Sequence, residues 1–192
     1  MRPILLASRS PRRKTILQFA GIPFRVVKPR GIQETRRAGE KPSRFVTRLA
    51  LEKATEVARR FPKSLCLGAD TVVVHRGRVF GKPRNREEGA RMLRALSGKV
   101  HEVWTGVAFV GKGGREKRAH AEKTRVTFRR LSSGEMKAYL RTQEPYDKAG
   151  GYAIQGTARA WIKDWEGDYF NVMGLPLKWV VREANRLGKA GV

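Results

Sequence analysis

The sequence is poor in several features on which common sites and membrane segments depend. It contains a single cysteine, Cys66, which excludes an intrachain disulfide and any metal site built from several cysteines. The three histidines, His75, His101 and His120, are widely spaced in strand-like segments, which disfavours a zinc site. No apolar run reaches the roughly 18 residues of a membrane span, and the first one is too short for a secretion signal. We therefore predict a cytoplasmic protein without a membrane partner, in which Cys66 is a buried strand residue.

Acidic residues are also scarce. The 192 residues include 17 Asp and Glu against 42 Lys and Arg, which gives a formal net charge of +25. Such a charge attracts nucleic acid, nucleotides or anionic membranes. Because the basic residues are spread along the whole chain, a solvated basic surface explains them as well as a surface for polyanions does. The length fits one domain over residues 1–192.

Motifs for covalent catalysis are missing as well. The sequence has no Gly-x-Ser-x-Gly elbow and no motif of a nucleophilic cysteine. What remains is a set of basic side chains and four unexpectedly placed carboxylates, Glu34, Asp70, Glu144 and Asp147. This combination is typical of phosphoryl or nucleotidyl transfer, in which cations hold phosphates, oxygen ligands bind Mg²⁺ or Mn²⁺, and a carboxylate orients water.

The stretch Ile4–Arg13 is an apolar run that ends in two serines, a proline and two arginines. It predicts a strand, a loop and a helix, with Ser10 as the N-cap and Pro11 in the first turn. Backbone N–H groups, serine hydroxyls and guanidinium groups would then meet at one helix N-terminus, where the helix dipole also favours negative charge. This arrangement predicts a phosphate-binding corner.

Two charged residues break the apolar pattern around them. Residues 42–61 have helical periodicity, and a helical wheel places Lys53 inside the apolar stripe. Asp70 stands between two apolar runs of a predicted strand. Because lysine is rarely buried without an anionic partner, we predict a functional role for Lys53. The alternative is a lysine whose ammonium reaches solvent from the end of the stripe.

The rest of the chain alternates between strand and helix patterns. Asn85 with Glu88, and Ser132 with Glu135, predict two helix starts. The tail predicts a strand over residues 158–163, a loop over 164–173 and a helix over 175–187 that is ended by Gly188. With hairpins among the alternating elements, the predicted class is α/β with a mixed rather than wholly parallel sheet.

Several short motifs follow one another along the chain. They are Leu6-Ala7-Ser8-x-Ser10-Pro11-Arg12-Arg13, Glu34, Leu49-Ala50-x-x-Lys53-Ala54, Ala69-Asp70-Thr71-Val72-Val73, Gly81-Lys82-Pro83, Leu96-Ser97-Gly98-x-x-His101-x-Val103-x-Thr105-Gly106, Glu144-Pro145-x-Asp147-Lys148-Ala149-Gly150, Tyr152-x-Ile154-Gln155-Gly156 and Gly174-Leu175-Pro176. In this order, and over nearly the whole chain, they resemble the Maf family of nucleoside triphosphate pyrophosphatases. Agreement of so many separate motifs is far more specific than any one of them.

The resemblance implies an α/β fold of the Maf/inosine-triphosphatase type, with an elongated mixed β-sheet flanked by helices and a cleft between two lobes. It implies hydrolysis of a nucleoside triphosphate to the monophosphate and pyrophosphate with a divalent metal cation such as Mg²⁺, Mn²⁺ or Co²⁺. Asp70 is implied as the water-activating base, and Glu34 and Asp70 as metal ligands. The implied phosphate ligands are Ser8, Arg13, Lys53 and Lys82, and the implied determinants of base choice are Arg12, Thr71 and Gln155.

With Thr71 directly after Asp70, the chain resembles the subfamily that takes dTTP and UTP. The 7-methyl-GTP subfamily typically has Gln at this position. We therefore expect a dTTP and UTP pyrophosphatase that also accepts modified pyrimidine nucleotides. We further expect a homodimer and weak binding of nucleic acid. The alternatives are a 7-methyl-GTP-type enzyme of the same family and a nucleic-acid-binding protein whose function is its positive charge. The misplaced carboxylates would repel a polyanion, and the aromatic residues do not interleave with the basic ones, which argues against the second alternative.

Overall fold

The alternation of strands and helices is present in the computed structural model, which describes residues 3–189. The strands are β1 (Ile4–Leu6), β2 (Phe24–Val26), β3 (Cys66–His75), β4 (Arg78–Phe80), β5 (Val100–Gly111), β6 (Glu116–Phe128) and β7 (Ile162–Glu166). The α-helices are α1 (Pro11–Phe19), α2 (Pro42–Arg60), α3 (Arg86–Leu96), α4 (Ser133–Tyr139), α5 (Tyr169–Met173) and α6 (Leu177–Lys189).

The sheet is mixed. Among the described residues the strands pair in the order β2-β1-β3-β5-β6-β7, and β4 also pairs with β3. Strand β1 runs parallel to both of its neighbours, with Leu5 opposite Arg25 on one side and Cys66 on the other. The pairs β3–β4 and β6–β7 are antiparallel. These observations confirm the α/β class with a mixed β-sheet and the buried strand position of Cys66.

The chain divides into two compact units. The first comprises the residues up to Asp70, Thr105–Glu122 and the residues from Gly174 onward, and the second comprises Thr71–Trp104 and Lys123–Met173. The assignment of one domain to residues 1–192 stays a prediction. None of the helices within residues 3–189 is long and apolar enough to cross a membrane.

The two units have cores of different composition. In the first, small and aliphatic side chains from α2, β3, β5 and the segment around β1 form a cluster, whose buried members are Leu5, Ala7, Ala54, Val57, Ala58, Cys66 and Val110. In the second, aromatic rings pack edge to face. The contacting pairs are His101–Phe128, His101–Tyr152, Phe128–Tyr152, Phe128–Trp161 and Tyr139–Trp161.

The predicted helix starts are largely confirmed. The Asn85 side chain accepts a hydrogen bond from the Glu88 N–H at 2.9 Å. Ser132 and Glu135 form a reciprocal capping box before α4. Ser10 does occupy the N-cap position of α1, but its hydroxyl caps no backbone N–H within the described part of the chain.

The tail differs from its prediction. Residues Thr157–Trp161 form a 3₁₀ turn, and the strand follows later as Ile162–Glu166. The predicted loop contains the end of this strand and helix α5, and α6 continues through Gly188 to Lys189. The strand was placed too early because Ala158 and Trp161, both buried by the 3₁₀ turn, imitate the apolar residues of a strand.

Candidate active site

Lys53 lies in the middle of α2 on its buried face. Only 7% of the residue is exposed, and its ammonium group contacts two carboxylates. The distance from Lys53 Nζ to Asp70 Oδ1 is 2.6 Å, and the distance to Glu34 Oε1 is 2.5 Å. Lys53, which the helical wheel placed on the apolar face, therefore has the anionic partners that a buried lysine requires. The alternative of an ammonium that reaches solvent does not describe this side chain.

A close approach between α2 and β3 brings Lys53 and Asp70 together. A Cβ atom on Gly68 would lie 2.2 Å from the carbonyl oxygen of Ala50, so only glycine allows the strand to pack this tightly on the helix. Because side chains two residues apart point to the same face of a strand, Asp70 lies on the face that Gly68 turns toward α2. Lys53 follows Ala50 by about one helical turn and meets it there.

The environment of Asp70 shifts the pKa of its carboxyl upward. The residue is 8% exposed, and burial raises the pKa of its carboxyl above the ordinary value. The Lys53 ammonium and the Arg13 guanidinium lower the pKa and offset part of this effect, whereas Glu34 adds to it. A carboxylate with a raised pKa accepts a proton from water more readily than an exposed aspartate does.

Arg13 and Ser8 form the second polar group of the first unit. Arg13 Nε donates to the carbonyl oxygen of Gly174 at 2.8 Å, and one terminal nitrogen donates to Ser8 Oγ at 3.0 Å. The backbone N–H of Ser10 donates to the same hydroxyl at 3.2 Å. Burial lowers the pKa of the Arg13 guanidinium. Arg13 is therefore a positive charge held in a fixed orientation near Asp70, whose charge acts on it.

The spacing of residues in the sequence did not predict the hydrogen bond between Arg13 and Gly174. Gly174 has a φ of 106°, which side-chain-bearing residues rarely adopt, and this conformation accompanies the orientation of its carbonyl toward Arg13. The signal for it in the sequence is the Gly174-Leu175-Pro176 motif, to which the sequence reasoning assigned no role. Gly68 was likewise not singled out as the residue that admits α2.

The remaining two predicted residues of the first unit differ in exposure. Glu34 lies on the loop after β2, and its side chain is 56% exposed although its carboxylate binds Lys53. Arg12 is half-buried beside Arg13, whose pKa its positive charge lowers. The structure thus brings together Ser8, Arg13, Lys53, Asp70 and Glu34, with Arg12 next to them in the first turn of α1.

The second unit carries the other three predicted residues. Lys82 is exposed in the loop after β4, Gln155 is exposed before the 3₁₀ turn, and Thr71 is partly buried in β3. The loops of Lys82 and Gln155 are linked through the glycine-rich turn of residues 149–151, because the N–H of Gly150 donates to the Gly81 carbonyl at 2.9 Å. Within this unit, therefore, the Lys82 loop is anchored to the segment that leads to Gln155.

A buried pair of side chains anchors the same segment to β5. The Tyr152 hydroxyl and His101 Nε2 are 2.6 Å apart. Burial lowers the pKa of His101 to about 3 and raises the pKa of the Tyr152 hydroxyl, so both groups are neutral near pH 7. The two residues belong to separate motifs of the sequence, and no local pattern indicates that they meet.

Carboxylates such as Glu34 and Asp70 are donors of the kind that hard divalent cations prefer. No cluster of three or more His, Cys, Asp or Glu side chains able to hold a metal is found among the described residues. Glu34 and Asp70 are nevertheless close enough to share one ammonium group. Mg²⁺ is commonly bound by one or two carboxylates, with substrate phosphates and water as its other ligands. The pair therefore provides two of the ligands that a divalent cation of this kind requires.

The chain is similar to known proteins over nearly its whole length. A family model described as Maf-like protein matches residues 3–187. Two dTTP/UTP pyrophosphatases, one from Bacillus anthracis and one from Bacillus cereus, are each 46% identical to this chain over 183 residues, which is 95% of this chain and 94% of theirs. A solved nucleoside-triphosphatase / dITP/XTP pyrophosphatase from Mycobacterium abscessus covers 98% of the chain at 16% identity with a TM-score of 0.46, with 95% of its own length aligned. A likeness of that size supports no conclusion about function.

Proposed function

Because the chain belongs to the family of Maf-like proteins, we propose that it is a nucleoside triphosphate pyrophosphatase acting on dTTP and UTP. As a hydrolase of phosphoric anhydrides, it would cleave the bond between the α and β phosphates with water and release a nucleoside monophosphate and pyrophosphate. Two relatives at 46% identity carry this activity in their names. The observation on this chain that carries the proposal is the buried Lys53 ammonium between Asp70 and Glu34.

In this reaction Asp70 acts as the general base. Its pKa is raised by burial, which strengthens its ability to take a proton from the attacking water. The nearby Arg13 guanidinium and Lys53 ammonium are charges of the sign that a triphosphate requires. Ser8 adds a hydroxyl that is already hydrogen-bonded to Arg13. Lys82 is proposed as a further phosphate ligand because its motif resembles that of the family.

Glu34 and Asp70 are proposed to hold a divalent cation, with Mg²⁺, Mn²⁺ and Co²⁺ as the candidates. A bound metal of this kind polarises phosphoryl oxygens and neutralises charge on the leaving pyrophosphate. The protein's own part is to place the two carboxylates close together, as their shared contact with Lys53 indicates.

Arg12, Thr71 and Gln155 are proposed to select the base. Thr71 follows the catalytic aspartate directly, and in the related subfamily for 7-methyl-GTP this position typically holds Gln. Arg12 and Arg13 occupy adjacent positions in the first turn of α1, so their side chains leave the helix about 100° apart. Arg12 can therefore serve the base while Arg13 serves the phosphates.

A panel of nucleoside triphosphates tests the proposal. Pyrophosphate release is measured for dTTP, UTP, the other common nucleotides and 7-methyl-GTP, each with Mg²⁺, Mn²⁺ and Co²⁺. We expect dTTP and UTP to give the highest kcat/KM. A preference for 7-methyl-GTP would contradict the role given to Thr71, and the absence of pyrophosphate release with every nucleotide and metal would contradict the function itself.

Three further properties are proposed from the sequence alone: a cytoplasmic location, a homodimer and weak binding of nucleic acid. Light scattering measures the oligomeric state directly. A titration of duplex DNA at several salt concentrations checks the third property, because binding by a basic surface weakens steeply as salt rises. Specific, salt-resistant binding would instead favour the nucleic-acid-binding alternative.

A further inference from the structure

Both carboxylates proposed as metal ligands are bound to the same lysine. Lys53 Nζ lies 2.6 Å from Asp70 Oδ1 and 2.5 Å from Glu34 Oε1, so it occupies the space between the oxygens that a cation would contact. A divalent metal and this ammonium group therefore compete for the same oxygens. Metal can bind between Asp70 Oδ1 and Glu34 Oε1 only after Lys53 has moved.

The negative charges around Lys53 are already offset without a metal. Lys53 contacts both Asp70 and Glu34, the charge of Arg13 also acts on Asp70, and Arg12 adds a further positive charge beside Arg13. A divalent cation entering alone would add two positive charges beside a buried guanidinium and a displaced ammonium. Such an excess is costly where water does not screen it. A triphosphate tail carries enough negative charge to offset the metal and to give Lys53 a new partner.

Lysine is well suited to exchange one set of anionic partners for another. Its ammonium is a compact charge on a flexible stem of four carbons, whereas an arginine fork is tied to a fixed geometry. The stem of Lys53 lies on the apolar face of α2 among residues such as Leu49 and Val57, so the head can move while the stem stays packed. Arg13, which is held by Ser8 and Gly174, lacks this freedom.

We propose that Lys53 keeps divalent metal out of the nucleotide-free site and transfers its ammonium from the two carboxylates to the phosphates when metal and nucleotide arrive together. The enzyme would then bind metal only with its substrate. This inference rests on the proposed pyrophosphatase function and assigns to Lys53 a part in the order of binding as well as in phosphate contact.

The test is a titration of the protein with Mn²⁺ alone, with unbound Mn²⁺ followed by its electron paramagnetic resonance signal. The Lys53→Met variant removes the ammonium and retains a long apolar side chain. We expect it to bind Mn²⁺ about tenfold or more tightly than the wild type, since the metal no longer displaces a charged hydrogen bond. Lys53→Arg retains the charge, so its affinity should not exceed that of the wild type. Lys63→Met, at an exposed position of the same unit, is the control for loss of a lysine.

Three results would overturn the proposal: equal affinity of Lys53→Met and wild type, equally tight binding by Lys53→Met and Lys53→Arg, or micromolar affinity of the wild type for Mn²⁺ alone. The last measurement needs no variant and holds even where Lys53→Met fails to fold. Pyrophosphate release by the wild type with UTP and Mn²⁺ is measured separately. Its absence would refute the proposed function, whereas the metal titrations decide the role of Lys53.

Discussion

The two units bury polar groups of opposite kinds. In the first, the buried polar side chains include four charged ones, Arg13, Lys53, Asp70 and Glu183, and the charges of Arg13 and Lys53 both act on Asp70. In the second, His101 and Tyr152 form a hydrogen-bonded pair that is neutral near pH 7 and surrounded by aromatic rings. The first arrangement is expensive to bury, whereas the second is close to an ordinary core.

This difference indicates that the charged group of the first unit serves catalysis and that the neutral pair of the second unit serves stability. Buried charges persist where several partners compensate them, and their positions make them available to a charged substrate. A neutral pair offers no charge to a phosphate, but it fixes the segment that leads to Gln155 against β5. Changes in the first group should therefore affect turnover most, and changes in the second should affect stability and its dependence on pH.

The largest effect is expected for Asp70→Asn. Asparagine has nearly the same shape but cannot accept the proton of the attacking water, so kcat should fall about a thousandfold while the protein remains folded. Pyrophosphate release and circular dichroism measure the two quantities. Asp164→Asn changes an exposed aspartate in β7 and serves as the control. Wild-type turnover by Asp70→Asn would remove Asp70 from the mechanism.

The next largest effect is expected at Gly68, where β3 packs against α2 and so brings Lys53 and Asp70 together. Gly68→Ala places a Cβ atom 2.2 Å from the Ala50 carbonyl oxygen, and backbone must move to accommodate it. We expect a loss of about 3 kcal/mol in the free energy of unfolding, measured by urea denaturation, because overpacking strains both elements. In α4, a Cβ on Gly134 would meet nothing closer than 3.9 Å, so Gly134→Ala should leave stability equal or slightly higher. Equal losses in both variants would show that close packing of α2 is not what Gly68 provides.

A smaller effect tests the neutral pair in the second unit. The pKa of His101 is lowered to about 3 in the folded protein, while in the unfolded chain it returns to its ordinary value near 6.5. Between these values the unfolded chain binds the additional proton, so the contribution of His101 is fully present above pH 6.5 and decreases as the pH falls toward 3.

From pH 7 to pH 5 this linkage should cost the wild type about 2 kcal/mol of unfolding free energy. His101→Gln retains a hydrogen-bonding side chain that does not titrate, and its stability should decrease by correspondingly less over the same interval. Denaturant curves at the two pH values give the comparison. Parallel losses in wild type and variant would mean that His101 is not held neutral by burial.

The smallest effect compares two helix caps, one from each unit. Ser132→Ala removes the hydroxyl that accepts a hydrogen bond from the Glu135 N–H in the capping box. It should lower the free energy of unfolding by about 1 kcal/mol. Ser10→Ala removes a hydroxyl that makes no cap bond among the described residues, so its effect should be only a few tenths of that size. Thermal unfolding of the two variants distinguishes these values, and a reversed order would contradict the hydrogen-bonding pattern.

Local patterns in the sequence determined the α/β class, the bounds of α2 and the burial of Lys53 and Asp70. Each depends on residues within a few turns or along one strand, where periodicity directly reports which face is covered. The error in the tail has the same origin, because a 3₁₀ turn with buried apolar residues produces a pattern similar to that of a strand.

Only the tertiary structure decided which groups meet. Lys53 and Asp70 are 17 residues apart, Arg13 and Gly174 are 161 apart, and His101 and Tyr152 are 51 apart. No periodicity extends across such separations, since contacts of this kind depend on how whole elements pack. The sequence could therefore identify a buried lysine that needed an anion. That this lysine meets Asp70 follows from the packing of α2 on β3 through Gly68, and that it also meets Glu34 follows from the position of the loop after β2.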